Sequence, residues 1–128
     1  MTLKNLIHFV PSFLVAAIIA YLSLLRQVSL SLPHFFGWDK LVHFLMFFAL
    51  SSVILFDTRR TAKISRKIIF VIFLTGTLYG GIIEILQEYF FYPRTGEWFD
   101  WLADSLGVIF GIISVLALWK ILKKDVMS

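Results

Sequence analysis

The sequence predicts an all-α membrane protein, a four-transmembrane-helix bundle with both termini cytoplasmic. Three observations carry this. Of 128 residues, 59% are hydrophobic and 16% charged, with a mean hydropathy of +0.88, which leaves too few polar side chains to cover a water-facing surface. The apolar residues gather into four runs, 6–25, 41–56, 68–86 (interrupted by Glu84) and 108–121, each near the roughly 20 residues that a bilayer core of about 30 Å requires. The basic residues lie in short segments between the runs and alternate in density, as topology determinants do.

A single domain, 1–128, is expected, with spans over 5–25, 39–57, 67–91 and 100–122. The first span follows Lys4, as in a signal peptide, but its apolar run is too long and no small-residue cleavage site follows, so it is read as retained. Pro33 and Gly37 break the chain before the second span, and Pro93 and Gly96 break it before the fourth. Between the second and third spans, 57–67 has the composition of a solvated basic hairpin that meets anionic lipid headgroups. With the amino terminus inside, Lys4, Arg59, Arg60, Lys63, Arg66, Lys67, Lys120, Lys123 and Lys124 fall on the cytoplasmic side and only Arg26, Lys40 and Arg94 outside. That bias fixes the orientation, because moving Lys or Arg across the bilayer is disfavoured. Aromatic residues, among them Trp38, Tyr89, Trp98 and Trp101, collect at the proposed outer interface. The net charge of +4 is thereby explained without nucleic acid. The chain has no cysteine, which excludes disulfides, thiolate metal sites and cysteine nucleophiles.

Polar residues inside the spans point to function. Asp39 and His43 open the second span four residues apart, on one helical face, where the carboxylate can orient the imidazole. Glu84, Gln87 and Glu88 end the third span and continue a row begun by Gly76 and Gly80. Asp100 and Asp104 open the fourth, on one stripe with Gly107, Gly111 and Ser114. The two glycine pairs are small-xxx-small faces that let helices approach closely, and packing explains them without chemistry. Counted from Ile68 at about 1.5 Å per residue, Glu84 stands roughly 24 Å up its helix, still within hydrocarbon depth. A carboxylate there is tolerated when it has a partner or a task, and Arg94, His43 and Lys40 are the available partners. Asp39 and Asp100 also serve as helix N-caps on a plainer reading, a lone His43 as a packing histidine, and Glu88 and Glu97 as wet interface charges. Together these residues predict a polar pocket open to the outside and walled by the second, third and fourth spans.

These residues resemble the VanZ-like family, small multispanning membrane proteins named for a teicoplanin-resistance protein. The matching pieces are Asp39-Lys40-Leu41-Val42-His43-Phe44, Gly81-Ile82-Ile83-Glu84-Ile85-Leu86-Gln87, Arg94, and Asp100-Trp101-Leu102-Ala103-Asp104-Ser105-Leu106-Gly107 with Gly111. The family pattern has D-K-x-x-H, G-x-x-x-E-x-x-Q, an Arg in the following loop and D-x-x-x-N-x-x-G. Asp104 departs from it, standing where an Asn is usual. The resemblance implies a membrane protein of the cell envelope; the resistance in the family's name is not carried over to this chain.

Three chemistries fit the constellation. The preferred one is a pocket that binds or modulates an envelope lipid, a wall precursor or a glycopeptide-type compound, formed by Asp39, Lys40, His43, Glu84, Gln87, Arg94, Asp100 and Asp104, with Arg94 available to pair an anion. The alternative is a membrane-embedded hydrolase or transferase acting on a lipid-linked substrate, with His43, oriented by Asp39, as base and buried Glu84 as acid. A metal site of His43 with Asp39, Glu84 and Asp104 ranks last, since no ligand spacing here is specific, and no cofactor or metal is expected. Four short spans without an internal repeat argue against a transporter; a homo-oligomer would supply more helices. Membrane lipids are the expected partners.

Overall fold

Pro11 decides how the chain enters the bundle. A proline ring blocks the carbonyl four residues back and carries no N–H, so the first helix is broken in the computed structural model, which describes residues 3–25, 37–92 and 95–126. Helix α1, Leu3–Ile7, ends in a turn at His8 and Phe9, and α2, Val10–Ala20, starts afresh with the proline in its first turn, where the missing N–H is harmless. A π-helical turn, Tyr21–Leu25, extends α2. The predicted span 5–25 is therefore interrupted, and its apolar helical part, Val10–Leu25, is shorter than the others.

Three further helices follow: α3 (Trp38–Thr61), α4 (Arg66–Phe90) and α5 (Trp98–Val126). Gly37 precedes α3 with φ of 130°, a conformation open to glycine and strained for other residues. Ser65 caps α4, its hydroxyl accepting from the Ile68 N–H at 3.3 Å. Among the described residues there is no strand, and three helices are long and apolar enough to cross a membrane: Trp38–Thr61, Arg66–Phe90 and Trp98–Lys123.

The basic hairpin predicted over 57–67 is mostly helix. Helix α3 runs on to Thr61, with Thr58 and Thr61 hydroxyls donating back to the carbonyls of Ile54 (2.7 Å) and Thr58 (3.1 Å), and the connection shrinks to four residues, 62–65. Helical hydrogen bonding does not stop where apolar residues do. Asp57 is consequently not a loop residue; it lies in α3, 1% exposed.

Much of the outward surface is itself apolar, with Phe70, Phe110 and Ile113 more than half exposed. In hydrocarbon such a bundle gains little from burying apolar area, so close packing and internal polar contacts hold it together. Helices α3 and α5 form the most extensive interface. A Cβ on Gly107 would run into the Phe44 carbonyl oxygen and lie 3.0 Å from the Phe48 nitrogen, and one on Gly111 would lie 2.5 Å from the Phe48 carbonyl oxygen. On the other side, Gly76 faces Val108 and Gly80 faces Asp104. The glycine rows are packing faces, as their spacing predicts.

Helix α2 is fastened by side chains that reach its backbone. Asp57 accepts from the Ser12 N–H (3.1 Å) and hydroxyl (2.6 Å), Tyr79 donates to the Ala16 carbonyl (2.6 Å), and the Gln87 amide donates to the Ser23 carbonyl (2.8 Å). Since Asp57 is near the end of α3 and Gln87 near the end of α4, α2 runs antiparallel to α3. The bundle thus has a basic end, with Arg59, Lys63, Arg66 and Lys120, and a site end, where α3 and α5 begin and α4 stops.

Candidate functional site

Packing at the site end forces polar residues together. The glycine seat of α5 on α3 brings Asp104, three residues before Gly107, level with His43. The imidazole Nδ1 lies 2.9 Å from Asp104 Oδ1 and 3.7 Å from Glu84 Oε1, and Nε2 lies 3.9 Å from Asp100 Oδ2. All four residues are buried, Asp104 completely. Gly80 leaves the room: a Cβ there would stand 2.7 Å from Asp104 Oδ2. Lys40 bridges Glu97 (3.0 Å) and Asp100 (3.3 Å) across the α3–α5 interface.

Backbone N–H groups restrain the carboxylates of α4. Glu84 Oε2 accepts from the Glu97 N–H at 2.8 Å, and Glu88 Oε2 accepts from the Gly96 N–H at 2.9 Å. Both donors precede the first turn of α5, where N–H groups lack helical partners. Gly96 has to be small, because a Cβ would meet the Glu84 carbonyl. After these bonds, Glu84 Oε1 and Asp104 Oδ2 remain buried with no hydrogen-bond partner among the described residues.

The predicted residues separate into groups. His43, Glu84, Asp100 and Asp104 meet directly. Asp39 is exposed at the first turn of α3, with a carboxylate oxygen within 4.8 Å of ligating atoms of His43 and Asp100, but the imidazole makes its hydrogen bond with Asp104, on the helix packed across from it. Gln87 leaves the cluster for Ser23, so the first helical segment does contribute at this end. Arg94 lies outside the described residues. Glu97, half-exposed, pairs with Lys40, and Glu88 is exposed yet holds Gly96.

The opening beside the cluster differs from the expected pocket. A groove of about 540 Å³ runs between α4 and α5, lined by Leu78, Ile82, Tyr89, Trp98 and Trp101 among others, with Glu84, Glu88 and Glu97 at its upper wall. Helix α3 does not line it, and His43, Asp100 and Asp104 lie behind it in the helix interface. Trp101, expected among the aromatics of the outer interface, donates its indole N–H to the Thr77 carbonyl at 2.9 Å, over Gly81.

Long apolar helices enclosing buried charges define an integral membrane protein with a polar centre in its helix interface. Residues 1–122 match a model of the VanZ/LLP1 family. The chain belongs to that family, as its D-K-x-x-H and related stretches suggested. No curated protein and no solved structure matches it.

Proposed function

We propose that this VanZ-family protein spans the cytoplasmic membrane four times, with both termini inside, and binds a cell-envelope amphiphile in the α4–α5 groove at its outer end. The observation that carries the reading is the groove itself. Its walls are apolar and aromatic, it faces the surface that lipid would cover, and carboxylates and backbone-clamped Glu84 stand at one end. A chain lies along Leu78 and Ile82 while a polar head meets Glu84, Glu88 and Glu97, the division of labour expected of a mostly apolar site with a few polar groups. That acidic rim favours a head carrying an amine or hydroxyl donors. An envelope lipid, a lipid-linked wall precursor and a glycopeptide-type compound all belong to this class.

Thermal unfolding of the detergent-purified protein against a panel of those amphiphiles tests it. At least one should stabilise the wild type and fail to stabilise Leu78→Trp, which fills the groove from its exposed wall. Stabilisation that survives Leu78→Trp, or none from any member of the panel, overturns the reading. The enzymatic alternative has one observation in its favour, the 2.9 Å His43–Asp104 pair beside Glu84. It requires turnover of a lipid-linked substrate that stops in His43→Gln while groove binding persists.

A further inference from the structure

The described hydrogen bonds leave two carboxylate oxygens unused, one on Glu84 and one on Asp104, and both of these side chains face the same imidazole. We propose that His43, Glu84 and Asp104 bind one divalent transition-metal ion, of the Zn²⁺ or Mn²⁺ type, in the interface of α3, α4 and α5.

One ligand atom from each of these residues lies within 4.8 Å of the other two. Metal–ligand bonds of about 2.0–2.2 Å place the ligand atoms of six- and four-coordinate shells roughly 3.0–3.5 Å from one another. The separations from His43 Nδ1, 2.9 Å to Asp104 Oδ1 and 3.7 Å to Glu84 Oε1, bracket that range, so side-chain adjustments of a few tenths of an ångström bring both oxygens to ligand spacing from the imidazole.

Charge points the same way. Glu84 and Asp104 are buried, with side-chain exposures of 9% and 0%, and Lys40, a cation at this end, reaches Asp100 and Glu97. Two carboxylates against one imidazole are stabilised by a divalent cation, which would also engage the unpartnered Glu84 Oε1 and Asp104 Oδ2. An imidazole ligand selects transition metals over Mg²⁺ and Ca²⁺.

The surroundings are those of a metal-holding histidine. Ligating imidazoles commonly turn their second ring nitrogen to a carboxylate that orients them; His43 Nε2 faces Asp100 Oδ2 at 3.9 Å, and Lys40 steadies Asp100 at 3.3 Å. Glu84 is fixed through its other oxygen by the Glu97 N–H. Because Glu84 also lines the α4–α5 groove, the groove reaches one of the three proposed ligands. None of this depends on which amphiphile the groove takes.

The test is metal content. The full chain is purified in detergent with chelator, desalted, offered ZnCl₂ or MnCl₂ with Mg²⁺ in excess, desalted again and analysed for bound metal and unfolding temperature. The wild type should keep close to one equivalent of one of the two ions and unfold at a higher temperature with it. Asp104→Asn, isosteric and still able to bond His43, and Glu84→Gln should each weaken binding at least about tenfold, while Asp57→Asn, at the far end of the bundle, should bind as the wild type does. A folded wild type that keeps neither ion, or Asp104→Asn and Glu84→Gln proteins that bind as tightly as the wild type, overturns the proposal. His43→Gln is a third variant; if it does not fold, the other two and the wild-type stoichiometry still decide.

Discussion

Asp57 and Glu84 sit at opposite ends of the bundle and use a buried carboxylate in the same manner, accepting from backbone N–H groups at the start of another helix. Asp57 takes the Ser12 N–H and hydroxyl in the first turn of α2, with Arg60 Nη1 3.6 Å from its second oxygen. Bonds to a charged acceptor contribute about 1.5–3 kcal/mol, and leaving a buried donor unsatisfied costs about 1–3 kcal/mol. Asp57→Ala is therefore expected to destabilise the purified protein by about 1–3 kcal/mol, read as an earlier thermal transition. Asp57→Asn keeps an acceptor oxygen and should lose less; equal losses would show that acceptance from Ser12 is not what Asp57 contributes. Sequence reasoning found Glu84, because an acid inside an apolar run stands out. It misplaced Asp57, because an acid next to Arg59 and Arg60 reads as surface. It also gave His43 to Asp39, since spacing along one helix is visible in a sequence and the helix packed opposite is not.

At the scale of helices, what each glycine touches sets its tolerance. Gly107 and Gly111 meet the backbone of α3 around Phe44 and Phe48, which cannot yield without moving the helix, whereas Gly76 meets the side chain of Val108. Overpacking a fitted interface costs about 1–3 kcal/mol. Gly107→Ala and Gly111→Ala should fall at the upper end of that range and Gly76→Ala below them, since only Val108 has to shift. Melting temperatures in detergent check the order, and an inverted order would place the tight contact on α4 rather than α3. The three long helices and their glycine rows were legible because period and apolar length are local properties. The break at Pro11 and the extension of α3 to Thr61 were not, since the first apolar run reads continuously through Pro11 and the second stops before α3 does.

For the molecule as a whole, side chains along α2 bear on the fourth span. Ser12 bonds Asp57 near the basic end and Ser23 bonds Gln87 near the site end, so about 16 Å of α2 and its π-helical turn, eleven steps of about 1.5 Å each, lies alongside the long helices and antiparallel to α3. On the proposed topology a helix held in that register crosses with its neighbours, and the excess of Lys and Arg at the basic end would put that end in the cytoplasm. Because the chain has no cysteine, single cysteines report each end without background. Thr95→Cys should react with a membrane-impermeant maleimide in intact cells, and Lys63→Cys and Leu3→Cys only after permeabilisation. Lys63→Cys reacting in intact cells while Thr95→Cys is protected would reverse the orientation and turn the acidic groove towards the cytoplasm, removing wall precursors and glycopeptides on the outer face as its ligands. Leu3→Cys reacting together with Thr95→Cys would leave three spans, with α2 packed on the bundle but not crossing with it.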